Sequence, residues 1–292
     1  MRAPPAWLFA LTILCTLLPT WVHAEEVFPK EQLLFNSLVV GRHYPIGADA
    51  QGALQFKKRI GDSEDLLLKT RFWSLGVVGT WNPAEWSVGA AAEVEPLAVF
   101  QLRVSYERRG FYGSYGEVLS WREPPPDLSD AALEAAGGRA ENYRTHRDTW
   151  KVEPKLRALW GPLGLQNVTT LQWGRLNARP GDTVYYDAGS DLLLPVQGLT
   201  LNNQLSAVYL AGPWVAGALY EFAAPLALGS SYQVHRAGPL LAYTFFERAG
   251  AWINKPTVFA TSLFGFKHPS RTGFPPTTIV GVSTETDFLA LR

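Results

Sequence analysis

Three groups of residues in this chain carry side chains that could do chemistry. His268-Pro269-Ser270 sets an imidazole two positions from a hydroxyl, with Glu285 on the next segment; a base beside a hydroxyl is the pairing of nucleophilic catalysis. Asp182, Asp187 and Asp191, around Tyr185-Tyr186, are carboxylates of the kind a hard divalent cation takes. Their spacing matches no known calcium loop, so the expectation is a solvated surface loop without a metal. Glu93, Glu95, Arg103 and Glu107, and later Lys151, Glu153, Lys155 and Arg157, put both signs of charge on one face. Such a face can line a channel that selects ions or solutes. It can equally neutralise itself inside a narrow interior, and with both signs interleaved a salt-bridged, mainly structural interior is expected.

The elements that position these residues are strands. Residues 86–110 put Trp86, Val88, Ala90, Ala92 and Val94 on one side of a first strand, and Leu102, Val104 and Tyr106 on the same side of a second. The charges take the other side, and alternation at period two is the mark of a two-faced strand. Pro96 between the halves reads as the turn of a hairpin. Similar segments are predicted over 35–44, 51–58, 66–80, 147–160, 163–176, 199–211, 214–223, 231–246, 253–267 and 277–289, about twelve strands in all. Gly161-Pro162 and Gly212-Pro213 read as tight turns. Two long inserts interrupt the pattern, 112–146 and 177–198. The first contains a predicted short helix, DLSDAALEAAGG, capped by Asp127 or Ser129 and stopped by Gly137-Gly138.

Charge and composition narrow the function classes. Lys+Arg and Asp+Glu are equal at 26 each, which leaves no basic excess for a nucleic-acid partner. Arg2 precedes an apolar run from about Ala6 to Leu18, and Val22-His23-Ala24 fits a cleavage site. Residues 1–24 are therefore expected to be a cleaved signal peptide, its core too short for a membrane-spanning helix. Residues 25–292 are expected to be one barrel domain, with the insert near 112–146 as its long surface element. The single cysteine, Cys15, falls in the signal, so no disulfide is expected in the mature chain. His43, His146 and His235 are scattered, no cofactor motif occurs, and Asn167-Val168-Thr169 is a glycosylation pattern set inside a strand.

The connections then alternate in length along the chain. The two inserts fall on one end of the predicted strands, and the Pro96, Gly161-Pro162 and Gly212-Pro213 turns fall on the other with both termini. With the signal peptide and the alternating strands, this pattern resembles the bacterial outer-membrane β-barrel proteins of Gram-negative bacteria. Trp73, Trp81, Trp86, Tyr106, Trp160, Trp173, Trp214 and Tyr220, near strand ends, resemble their interfacial aromatic girdles. The resemblance implies a single antiparallel up-and-down transmembrane barrel of about 12 strands in the outer membrane, acting without enzymatic chemistry as a passive channel or a structural protein. It implies outer-membrane lipid as surroundings, barrel-assembly and periplasmic chaperone machinery as partners, with Phe288 near the C-terminal signal position, and small solutes as cargo. His268-Pro269-Ser270 separately resembles the H-x-S arrangement of outer-membrane lipid deacylases and phospholipases, which makes a lipid hydrolase using His268, Ser270 and Glu285 the alternative. A soluble periplasmic β-sandwich that shares the alternation is the second.

Overall fold

No strand of the alternating set is left with an unpaired edge. The computed structural model describes residues 29–43, 47–113, 118–138, 142–248, 251–269 and 276–290; the predicted signal peptide and Ser270 lie outside them. Twelve strands pair antiparallel in a closed ring: β1 (Glu31–His43), β2 (Gly47–Arg59), β3 (Phe72–Trp81), β4 (Glu85–Leu97), β5 (Phe100–Phe111), β7 (Thr145–Trp160), β8 (Leu163–Leu176), β11 (Gln197–Ala211), β12 (Trp214–Pro225), β13 (Val234–Thr244), β14 (Asn254–Lys267) and β15 (Thr277–Asp287). The first and last strands close it, in register from Leu34 opposite Asp287 to His43 opposite Thr278. One sheet closed on itself is not a sandwich of two sheets, which corrects the soluble-sandwich alternative. Strands β6 (Leu119–Trp121), β9 (Val184–Asp187) and β10 (Leu192–Pro195) form a second sheet in the order β10-β9-β6, and the inserts also hold helix α1 (Asp130–Gly138).

Local chemistry explains most boundaries. Gly161 and Gly212 sit at φ +57° and +60° before a proline, as two-residue hairpin turns with glycine first require. The Ser129 hydroxyl accepts the Ala132 N–H at the start of α1, and the Asp127 carboxylate accepts the Ser129 N–H at 2.7 Å. That amide holds the Asp127 carboxyl below the usual carboxylate range. Two boundaries differ from expectation. Pro96 lies inside β4 at a register shift between Val94 and Leu97, and the turn is at 98–99; a residue without an N–H is tolerated where the ladder is already irregular. Residues 66–70 are turn, because the Asp65 carboxylate accepts the Leu67 N–H and starts a loop that rejoins the ladder at Phe72.

The two faces of the wall differ in what covers them. Val88, Val104, Trp150 and Val152 are exposed on the outside, while their neighbours Ser87, Ser105, Glu107 and Thr149 are buried within. On the outer face of β8 and β11, Asn167, Thr169 and Asn203 bond to one another. The two amides exchange hydrogen bonds at 3.1 Å, and the Asn203 amide also donates to Thr169 at 2.8 Å. The interior is divided. Leu38, Val40, Val208, Val215, Leu219, Leu240, Ala242, Phe259, Leu263 and Ile279 form one buried apolar cluster on β1 and β11–β15. Acids and bases concentrate on β2, β4, β5 and β7. Apolar packing therefore shares the interior with the ion pairs expected from the sequence. Phe259 and Leu263, each 1% exposed, lie at the centre of that cluster.

Near the end where β1 starts and β15 ends, Glu95 is 2% exposed, accepts the Thr70 hydroxyl at 2.7 Å and pairs with Arg157, across the intervening β5. Glu95→Ala removes the buried carboxylate that faces the Arg157 guanidinium, and is expected to lower barrel stability by roughly 3 kcal/mol, read as a lower urea midpoint in detergent. An unchanged midpoint would show that the pair is not structural.

Candidate functional site

The site that assembles residues from most of the chain is the barrel mouth at the end away from the start of β1 and the end of β15. Insert 177–198 carries Val184-Tyr185-Tyr186 and Leu192-Leu193-Leu194, unbroken runs of the kind found in strands buried on both faces. They are buried on both. Tyr185, Leu192 and Leu194 pack with Phe111, Leu176, Ala223 and Val234 at the ends of barrel strands. Val184, Tyr186 and Leu193 pack on the other side with Leu119, Leu128 and the α1 residues Leu133 and Ala136. The layers run barrel wall, sheet, helix. Insert 112–146 supplies β6 and α1 to this lid, so the two inserts fold as one unit.

The tip between β9 and β10 reaches into the mouth. Asp187 Oδ1 lies 3.7 Å from Arg109 on β5, whose guanidinium also lies 3.6 Å from Glu85 and 3.4 Å from Glu107. Glu107 in turn accepts from the Lys151 ammonium at 2.7 Å. Four residues further on, His268 Nε2 lies 3.0 Å from the Asp191 carbonyl oxygen and 3.2 Å from its carboxylate, and the Tyr186 hydroxyl donates to that carboxylate at 2.5 Å. Asp191 takes φ +56°, a left-handed conformation that aspartate tolerates in turns. The Arg147 guanidinium on β7 lies over the Tyr185 ring at 5.7 Å, and Arg42 on β1 is within electrostatic reach of Asp191 and Tyr186. In the ring order, β5 and β14 are diametrically opposite. One hairpin tip thus ties opposite walls of the barrel together.

The structure distributes the sequence-derived residues unevenly. Arg103 lies 3.8 Å from Glu153 across β5 and β7. Lys155 is within electrostatic reach of Glu93, Arg157, Arg103 and Glu153. Glu107 and Lys151 join the Arg109 network, and Glu95 pairs with Arg157. On the outside, Trp81, Trp86, Trp173 and Tyr220 lie toward the mouth end of their strands. The Tyr106 and Trp150 rings meet at 5.0 Å in the same half. Trp160, 85% exposed, and Trp214 lie at the other end, with Trp73 at the start of β3.

The proposed His268–Ser270–Glu285 group does not assemble. Glu285 pairs with Asn254 at the start of β14, whereas His268 follows its end; at about 3.3 Å per residue they are roughly 40 Å apart along the wall. Ser270 lies outside the described residues. The solvated acidic loop is likewise a correction, since both residues are buried, Asp187 paired with Arg109 and Asp191 in contact with His268 and the Tyr186 hydroxyl. Asp182 accepts the Ser120 hydroxyl. Among the described residues no cluster of three or more His, Cys, Asp or Glu is placed to hold a metal.

Sequence reading missed Arg109, Arg147, Arg42 and Glu85, and placed Tyr185 in a surface loop. Arg109 continues the parity of Arg103 and Glu107 and was available from the alternation. The triple leucine in a polar insert was the signal for the lid. No known family model matches the chain, and no curated protein is similar to it in sequence. Solved structures similar to it are bacterial outer-membrane barrels. The translocator domain of autotransporter NalP from Neisseria meningitidis has TM-score 0.44 at 9% identity, covering 91% of each chain. The β domain of the Bordetella autotransporter BrkA has TM-score 0.43 at 11%, covering 89% of this chain and all of that one. The KdgM porin has TM-score 0.40 at 11%, covering 88% and 99%. The closed barrel itself rests on the strand pairing.

Tyr185 is fully buried, and its hydroxyl has no hydrogen-bond partner among the described residues. Burial, more than any neighbour, pushes its pKa upward. Tyr185→Phe removes an unsatisfied polar atom and is expected to leave stability within about 1 kcal/mol of wild type, in the stabilising direction. Asp187→Ala removes a wall contact and is expected to speed amide exchange over 184–194 at unchanged barrel content. Equal exchange in both proteins would remove Asp187 as a tether.

Proposed function

We propose that the protein is a non-enzymatic barrel of the bacterial outer membrane, a passive channel for small solutes whose outward mouth is closed by its own inserts. The observation that carries this reading is the span of the β9–β10 tip, Asp187 reaching Arg109 on β5 and Asp191 reaching His268 beyond the opposite strand β14. The mainly apolar, aromatic-flanked outer face and the closed ring of paired strands support a lipid setting, where an open sheet edge has no partner. The inserts and lid lie at one end, and the start of β1 and the end of β15, with the turns at 98–99, 161–162 and 212–213, lie at the other. Loops 60–71 and 245–253 lengthen the terminal end, and 44–46 and 82–84 shorten the mouth end, so the asymmetry rests on the two inserts. Outer-membrane lipid and the barrel-assembly and chaperone machinery are the partners this reading requires. The non-enzymatic reading is supported by an imidazole already committed to Asp191 and by the distance of Glu285.

Planar-bilayer conductance tests it. Wild type is expected to conduct little, and the double variant Asp187→Ala/Asp191→Ala to conduct several-fold more, in rare openings or a raised steady level. If neither protein conducts, the channel reading fails and a structural membrane role remains. Failure of the purified barrel to insert at all, or loss of its heat-dependent shift on SDS gels, would refute the membrane reading itself.

A further inference from the structure

Inside a closed ring of strands, an inward side chain meets water only where the lumen is open. Glu93, Arg103, Glu153 and Lys155 face inward in the half of the barrel away from the lid, and all four are half-buried rather than buried. We propose that this part of the lumen binds a short peptide with both ends free, its ammonium at Glu93 and its carboxylate at Lys155 and Arg103. The proposal rests on the channel reading above and names the solute.

Register sets the geometry. Arg103 on β5 lies opposite Glu93 on β4 and opposite Glu153 on β7. Lys155 lies two residues further from the lid, opposite Gln101. The signs therefore alternate along the wall. Glu93 and Lys155 stem from strands two places apart and from rows about 7 Å apart, so their backbones are separated by on the order of 12 Å.

Most charges in this half are answered by a neighbour, and two are not. Glu95 accepts the Thr70 hydroxyl and pairs with Arg157. The Lys57 ammonium lies over the Phe72 ring at 4.1 Å, within electrostatic reach of Glu95, Glu93 and Glu285. Glu153 accepts the Thr170 hydroxyl at 3.3 Å and lies 3.8 Å from Arg103. Lys155 and Glu93 are within electrostatic reach of one another, yet neither makes a hydrogen bond or ion pair among the described residues. Arg103 Nε also lacks a hydrogen-bond acceptor there.

The sign of the ligand follows. The charged groups acting most strongly on Lys57 and Lys155, taken with those two, are four acids and four bases. No net charge favours either sign. An anion alone would leave Glu93 without a cation, and a cation alone would leave Lys155 without an anion. A solute carrying both charges answers both, and charges drawn partly out of water are tolerated when each is paired. The span between Glu93 and Lys155 suits a short peptide, whose two charges stand further apart than those of one α-amino acid.

The test is equilibrium dialysis of isotope-labelled ligands against the full barrel in uncharged maltoside micelles. The probes are triglycine, N-acetyltriglycine without the ammonium, triglycinamide without the carboxylate, and glycine. Wild type is expected to bind triglycine about tenfold more tightly than either blocked form. Glu93→Gln is expected to bind N-acetyltriglycine at least as well as triglycine, and Lys155→Gln to bind triglycinamide at least as well as triglycine. Equal binding of the three peptides by wild type, or an unchanged order of affinities in both variants, overturns the proposal. Glycine bound as tightly as triglycine would mark an amino-acid site and overturn the peptide. The wild-type comparison needs no variant to fold. Triglycine binding by a barrel that never conducts supports the site and refutes the channel; conductance by Asp187→Ala/Asp191→Ala without triglycine binding refutes the site alone.

Discussion

Closure of the sheet is the constraint on which the rest depends. Ten register pairs between β1 and β15 join the two ends of the chain's strand order, and with them every wall strand has two partners. A closed ring of antiparallel strands has no edge to recruit another chain and no backbone group facing lipid unpaired. It also fixes the size of the interior. Twelve strands enclose more than the side chains of an eight-stranded barrel fill, and less than the lumen of a large porin. The remaining volume has to be filled by apolar packing, filled by paired charges, or covered.

This chain does each in a different place. The wall from β11 to β1 fills its share with branched and aromatic side chains, Phe259 and Leu263 among them. The wall from β2 to β8 keeps its charges and matches them, Glu95 with Arg157, and Glu107 with Lys151 and Arg109. Taking such charges from water is costly unless geometry and hydrogen bonds compensate, which is why the acids and bases lie on neighbouring or near-neighbouring strands. At the mouth the space is covered, by a sheet whose tip uses Asp187 and Asp191 to reach two walls at once.

The difference between the wall and the lid is also a difference in what can move. The wall is held by a continuous ladder, and opening it anywhere exposes a row of backbone groups. The lid is held by side chains: an ion pair on Arg109, the imidazole of His268, a cation over Tyr185, and two apolar clusters. Contacts of that kind can be broken locally, so a change at the mouth need not disturb the barrel.

The strands, their number and their two faces were legible in the sequence, because alternation at period two is a local property of a wall that has lipid or solvent on one side. Residues such as Glu93, Glu107 and Lys151 could be assigned a face from parity alone. The helix at Asp130–Gly138 and its Ser129 cap were legible for the same reason, being local. The lid was not. Asp187 and Asp191 look like any polar loop until the chain brings β5 and β14 opposite each other, and His268 looks like a base for Ser270 until the fold sets Asp191 beside it and Glu285 at the far end. Sequence determined which residues face in and which face out; only ring closure, which sets residues distant in the chain side by side, decided which of them meet.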